Sequence, residues 1–224
     1  MSLQEKLNAF EADFEAGKPP YNVSRTVIDI MHRATEELIA SGAAGRALKA
    51  GDLAPRFVLN DPDGKPVDSA DLLAEGPLLV SFYRGVWCPY CNMELQALQA
   101  ALPAFRGLGA RLVAISPQNG VNSRRSVRTN GLDFPILSDP RNETAAAFGL
   151  RFALPDYLVA LYKSRKNDLP AFNGDTSWTL PMPSRFVIGQ DWVIRYAEVN
   201  PDYTIRPEPT DMLPALGGLV GRAA

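Results

Sequence analysis

Cys88 and Cys91 are the only two cysteines in the chain, and they stand three apart in Trp87-Cys88-Pro89-Tyr90-Cys91. An apolar run, Leu78-Leu79-Val80-Ser81-Phe82-Tyr83, leads into them. A helical pattern leads away, with Cys91, Leu95, Leu98, Leu102 and Phe105 at offsets of 4, 7, 11 and 14. The pair therefore sits where a strand runs into a helix. Unpaired N–H groups at a helix N-terminus stabilise a thiolate, which is the reactive form of cysteine, so this placement predicts dithiol–disulfide redox chemistry. Zinc needs about four ligands, and the lone histidine, His32, lies on a separate helix. No metal or organic cofactor is expected, and no glycine-rich nucleotide fingerprint is present.

Roles within the pair follow from position. Pro89 suits the first helical residue, where its missing N–H costs nothing. Cys88 then becomes the N-cap, exposed and of low pKa. Cys91 falls on the apolar face with Leu95 and Leu98 and is expected to be the more buried, resolving thiol. Arg84, four residues before Cys88, could stabilise a thiolate and the charge on a departing oxygen; the plainer reading is a surface arginine paired with an acid. Trp87 before the pair and Tyr90 within it are read as supporting residues, Trp87 shielding the dithiol or simply packing.

The elements that must position these residues are legible around them. Residues 1–50 read as a helical extension, with one stripe at Leu3, Leu7, Phe10 and Phe14 and another at Val27, Met31, Ala34 and Leu38. From residue 51 to 224 the pattern is α/β. Strands are expected at 57–59, 78–83, 111–116, 134–137, 185–188 and 192–199. Helices are expected from Ser69, from Cys88, at 121–129, at 142–148 and near Leu213. Strand, helix and strand over 78–116 make a βαβ unit with parallel, buried strands. Gly189-Gln190-Asp191 joins the last two strands as a hairpin. Residues 150–182, with Pro155, Pro170 and Pro181, read as an insertion passing near the active site.

The order of elements resembles a thioredoxin fold, a central mixed sheet flanked by helices. Local strings resemble the alkyl hydroperoxide reductase/thiol-specific antioxidant (peroxiredoxin) family. These include Gly51-Asp-Leu-Ala-Pro-Arg-Phe57, Phe82-Tyr-Arg-Gly-Val-Trp-Cys88, Leu137-Ser-Asp-Pro140, Pro183-Ser-Arg-Phe-Val-Ile188 and Asp202-Tyr-Thr-Ile-Arg206. Residues 1–50 resemble the lead-in of a subgroup carrying the W-C-P-Y-C string. The family pattern P-x-x-x-T-x-x-C places its attacking cysteine on Cys91, its threonine on Cys88 and its proline on Arg84. Its active-site arginine falls on Pro183, two residues before Arg185. A proline there matches the thioredoxin pattern, so Met182-Pro183 is expected to be cis and to pack against the dithiol. Position in the helix thus favours attack by Cys88, and the family register favours Cys91.

The resemblance implies an antioxidant thiol peroxidase acting on hydrogen peroxide or organic hydroperoxides. A Cys88–Cys91 disulfide would be reset by a thioredoxin- or glutaredoxin-type reductant. A thiol–disulfide oxidoreductase and a redox-gated binding module are the alternatives. Composition adds exclusions. With 224 residues, 46% apolar and 21% charged, the chain is an ordinary globular one. A formal net charge of −2 gives no general attraction to nucleic acid or to an anionic membrane. Glu5, Lys6, Glu11 and Asp13 stand where a signal peptide needs apolar residues, which predicts a cytoplasmic location. The oligomeric state is left open, a homodimer included.

Overall fold

The computed structural model describes residues 1–220. Two helices open the chain, α1 (Leu3–Glu15) and α2 (Arg25–Ala40). There follow β1 (Val58–Asn60), β2 (Pro66–Asp68), α3 (Ser69–Glu75), β3 (Leu78–Phe82), α4 (Pro89–Gly107), β4 (Arg111–Ser116), α5 (Gly120–Asn130) and β5 (Ile136–Ser138). After α6 (Glu143–Ala147) come β6 (Arg151–Ala153), α7 (Asp156–Ser164), α8 (Leu169–Asn173) and β7 (Thr179–Pro181). The chain then closes through β8 (Ser184–Ile188), β9 (Ile194–Val199) and α9 (Leu213–Val220).

Seven strands form one sheet in the order β2-β1-β5-β4-β3-β8-β9. β3 and β4 are parallel, as are β4 and β5, whereas β8 runs antiparallel to β3, and β9 to β8. This is the mixed sheet of the thioredoxin-like class. The continuous apolar sequence of β3 is explained by burial on both faces. Leu79 packs with Leu95, Leu98 and Phe105 of α4, while Leu78, Val80 and Phe82 pack with Ala145, Phe148 and Phe186 on the other side. Each such side chain taken out of water stabilises by about 1.5–3 kcal/mol.

Asp68 rather than Ser69 caps α3, accepting from the Ala70 N–H at 2.8 Å. Ser69 is buried instead, and its hydroxyl both accepts from the Phe57 N–H and donates to the Phe57 carbonyl, each at 3.0 Å. It pins β1 to the start of α3.

The N-terminal helices pack on the rest of the chain in two places. Leu3 and Leu7 of α1 enter the cluster around α4. Gln4 accepts from the Arg206 N–H at 2.8 Å, so α1 also straps the 203–208 loop. Helix α2 leans on α7: Arg33 lies 4.3 Å from the Tyr157 ring centroid, and the Tyr157 hydroxyl donates to Glu37 at 2.5 Å. The predicted α2 stripe is only half-buried, because Met31, Ala34 and Leu38 border cavities rather than a filled core. Residues 150–182 are more regular than their prolines suggested. β6 and β7 pair as a separate two-stranded sheet, and α7 and α8 lie between them in the chain.

Candidate active site

Cys88 is the N-cap of α4, and Pro89 is its first residue. The loop before it is fixed from both sides. The Val86 N–H donates to Gln118 Oε1 at 2.7 Å, Asn92 Nδ2 donates to the Val86 carbonyl at 2.8 Å, and the Cys88 N–H donates to the Gly85 carbonyl at 3.0 Å. Gly85 has φ +149°, and a Cβ there would lie 2.5 Å from Trp87 Nε1 and 3.2 Å from Gln118 Oε1. Only glycine allows this turn.

Both thiols are buried, which corrects the expectation of an exposed Cys88: it is 2% accessible and Cys91 is 0%. The reason is an aromatic roof absent from any local reading. Phe10 of α1 meets Tyr90 edge-on at 5.0 Å, and Tyr90 meets Tyr203 at 5.5 Å. Trp87 meets Tyr162 of α7 at 5.7 Å. Cys88 nevertheless lines a cavity of about 300 Å³ beneath this roof, together with Arg84, Trp87 and Tyr162.

The two thiols differ in electrostatics. Burial pushes Cys88 up, but a hydrogen bond from the Cys91 thiol, the Arg84 guanidinium, the Cys91 N–H and Arg206 outweigh it, and Cys88 is lowered to about 6. Burial, then the hydrogen bond and charge of Cys88, push Cys91 well above an ordinary thiol. One thiol of the pair ionises and the other holds its proton.

Arg84 is not a surface ion pair. It is 4% accessible and bonds to no carboxylate among the described residues. Its Nη2 donates to the Tyr162 hydroxyl at 2.5 Å, and its Nε has no partner. Its Cζ lies 4.1 Å from the Tyr203 ring centroid and 4.9 Å from that of Trp87. Burial opposes its charge, yet Tyr162, Cys88, Tyr203 and Cys91 together hold it protonated. Cations over aromatic faces gain about 2 kcal/mol when desolvated.

Behind Cys91 lies a second charged group that the sequence reading passed over. Glu94 accepts from Arg185 Nε at 2.8 Å and from Arg206 Nε at 2.6 Å, and all three side chains are buried. Burial pushes Glu94 up, but the two guanidiniums bring it below the usual carboxylate range. Two arginines against one carboxylate leave a local excess of positive charge beside the thiols. The signal was present in the sequence: Glu94 follows Cys91 by three residues on the same helical face as Leu95 and Leu98, and Arg185 interrupts an apolar strand. A charge on a buried face needs a partner.

Tyr83 and Gln118 were also missed. The Tyr83 hydroxyl donates to Ser126 at 3.1 Å and accepts from Gln118 Nε2 at 3.0 Å, and burial pushes it to about 12.

Pro183 departs from expectation. The Met182–Pro183 bond is trans; Pro19–Pro20 is the cis bond among the described residues. Chain direction explains this, since β7 runs almost directly into β8 and an extended trans link suffices. The Met182 N–H already donates to the Leu150 carbonyl at 3.0 Å, so it offers nothing to an incoming chain. Pro183 borders a small apolar cavity beside Arg84, Tyr162 and Tyr203, and is not on the wall of the Cys88 cavity. Trp178 packs near Leu154 and Leu158, with Lys163 over its ring at 5.4 Å.

Residues 50–197 match the AhpC/TSA family model. The chain belongs to the AhpC/TSA family. That membership makes it a thiol-dependent oxidoreductase of the peroxiredoxin kind. Its relatives include the peroxiredoxin Bcp of Escherichia coli, 31% identical over 103 residues, or 46% of this chain and 65% of that one. A putative peroxiredoxin of Mycobacterium tuberculosis is 35% identical over 102 residues, 46% and 64% of the two chains. The thiol-disulfide oxidoreductase ResA of Bacillus thuringiensis is 28% identical over 125 residues, 50% and 71%. The fold is similar to that of peroxidoxin BcpB from Mycobacterium tuberculosis, with TM-score 0.61 at 22% identity, covering 79% of this chain and 99% of that one. Peroxiredoxin Q of Xanthomonas campestris superposes with TM-score 0.55 at 17% identity, over 75% and 92%. No helix of the described residues is long and apolar enough to cross a membrane.

Proposed function

We propose that the chain reduces a hydroperoxide at Cys88 and resolves the product with Cys91. The Cys88 thiolate attacks one peroxide oxygen, the O–O bond breaks, and the electron pair leaves on the second oxygen, which takes a proton. Cys88 is then a sulfenic acid. The Cys91 sulfur attacks Cys88, water departs, and a Cys88–Cys91 disulfide closes. A cellular thiol reductant returns both to thiols. Family membership points to a thioredoxin- or glutaredoxin-type donor, and this reading places the protein in the cytoplasm.

The observation that carries the proposal is the buried guanidinium of Arg84 on the wall of the Cys88 cavity with no carboxylate partner. Its available counter-charge is the thiolate before attack and the departing oxyanion during it. Preorganised charge of this kind stabilises a transition state without reorganisation. Trp87, Pro89 and Tyr90 support the site by shape: Pro89 starts the helix, and the other two form its roof. Pro183 supports it only through the floor beneath Arg84.

The likeness to a thiol-disulfide oxidoreductase sustains a second reading, exchange with disulfides. The engaged Met182 N–H and the trans Pro183 weigh against docking of an extended chain there. Stopped-flow mixing of the reduced protein with hydrogen peroxide and with cumene hydroperoxide separates the two. The expected result is loss of one equivalent of peroxide and of both thiols. Intact thiols with excess peroxide, alongside rapid reaction with a disulfide, would establish the second reading instead.

A further inference from the structure

The cavity over Cys88 has walls from parts of the chain outside the βαβ unit. Phe10, Phe14 and Met31 come from α1 and α2; Leu161, Arg165 and Lys166 come from the end of α7 and the turn after it. At about 300 Å³ it has the size of a small-molecule site and cannot admit the folded surface of a protein. A disulfide between a helix N-cap and the residue three on closes with little backbone movement, so the roof stays over the oxidised form. Whatever reopens that disulfide must carry its sulfur into this space.

The charges around the space are divided. Arg165 and Lys166 lie on one rim, and neither belongs to an ion pair among the described residues. The buried, incompletely bonded Arg84 also lines the cavity. Phe14, Met31, Tyr90 and Tyr203 also line an adjoining chamber of about 170 Å³, which carries Glu11, Glu15, Glu36 and Asp202 but neither Arg165 nor Lys166. Its only cationic candidate, His32, is bound to Glu15 at 2.5 Å. The cavity that holds the Cys88 sulfur therefore carries cations of its own and shares a wall with an acidic chamber.

We infer that the immediate electron donor is a low-molecular-weight peptide thiol with a carboxylate at one end, an ammonium at the other and its sulfur between. This departs from the protein donor that family resemblance implies. It rests on the proposed function only in requiring the Cys88–Cys91 disulfide. The donor's thiolate attacks Cys88 Sγ, the bond to Cys91 breaks, and its electron pair leaves on Cys91, which is protonated. A second donor thiolate attacks the donor sulfur of the mixed disulfide and displaces the Cys88 thiolate, a good leaving group because of its low pKa. Two donor thiols become one donor disulfide, and the protein gains two electrons.

The test starts from disulfide formed with diamide, so no peroxide is involved. Thiol appearance is followed with glutathione, 3-mercaptopropionate, cysteamine, 2-mercaptoethanol and a thioredoxin, each rate divided by that donor's rate with a small aromatic disulfide. Glutathione is expected to exceed neutral 2-mercaptoethanol by about tenfold on this scale, the order of effect that complementary charge gives. Arg165→Glu with Lys166→Glu should remove most of that advantage and also slow 3-mercaptopropionate. Glu11→Gln should lower the ratio for glutathione and cysteamine but not for 3-mercaptopropionate. Equal normalised rates for all small thiols, or a thioredoxin that outruns glutathione at far lower concentration, would overturn the inference. If diamide closes the disulfide and peroxide does not, the peroxidase reading fails alone. If peroxide closes it and glutathione has no advantage, the donor inference fails alone.

Discussion

Arg84 donates to the Tyr162 hydroxyl at 2.5 Å, tying the loop before Cys88 to a helix 78 residues further along the chain. Helix α7 belongs to the segment whose prolines made it look irregular, yet it supplies the neutral acceptor that lets a guanidinium remain buried without an acid.

Tyr162→Phe removes that acceptor and leaves a buried N–H unpaired. The expected loss is about 1–3 kcal/mol of stability. Urea unfolding at neutral pH measures it, and an unchanged midpoint would mean that water or another group already satisfies Arg84.

The Cys88 thiolate should be visible as absorbance near the ultraviolet edge with a midpoint at about pH 6. The folded value is depressed below that of a free thiol. Its contribution to stability is therefore present above the unfolded value of ~8.5 and is lost as pH falls through about 6. Arg84→Gln should raise the midpoint by about 1–3 units, the usual effect of removing a close opposite charge.

Order of attack separates the two registers read in the sequence. Cys88→Ser should abolish peroxide turnover, and Cys91→Ser should trap a sulfenic acid on Cys88, detectable by dimedone labelling and mass spectrometry. A dimedone adduct on Cys91 in the Cys88→Ser protein would favour the family register.

Glu94→Gln leaves Arg185 and Arg206 buried without the one carboxylate they share. Breaking a buried ion pair in this way costs about 3–5 kcal/mol. Thermal unfolding should show a large drop, and the Cys88 midpoint should move down as local positive charge grows.

Glu198, paired across the strands with Arg185, is raised to about 7 by burial and by the charge of Glu94, against the opposing Arg185 and Arg206. Tyr196 and Asp211 lie on the same side, and burial followed by Glu198 raises Tyr196. Because the folded carboxyl binds its proton more tightly than the unfolded one, its contribution is complete below about 4.5 and is lost as pH rises through about 7. Glu198→Gln should flatten the stability profile between those values, with a gain on the order of 2 kcal/mol above pH 8. A profile as steep as that of the parent protein would place the titration elsewhere.

The parts of the fold legible in sequence were those with a local cause. The apolar run of β3, Pro89 at the helix start and the Gly189-Gln190-Asp191 turn each carry their signal within a few residues. The site was legible as a motif and not as an environment. Nothing near Cys88 in sequence announces Phe10, Tyr162 or Tyr203, which reach it from remote elements and turn an expected exposed thiol into a buried one. Glu94 and Arg185 are the opposite case. Each breaks an apolar pattern, and their pairing follows once the helix and strand are packed together. Pro183 failed for a third reason: a proline before a strand reads the same in sequence whether the link bends or runs straight.

The seating of Cys91 one helical turn beyond the Cys88 N-cap, with both thiols buried, bears on survival under oxidative load. A sulfenic acid on Cys88 would form with its resolving partner in the first turn of the same helix, so no remote segment has to melt before the sulfurs join. Further oxidation to the sulfinic acid competes only during that interval. The expected consequence is an enzyme that tolerates peroxide pulses many times its own concentration, with inactivation per turnover set by collision with a second peroxide rather than by a slow unfolding step.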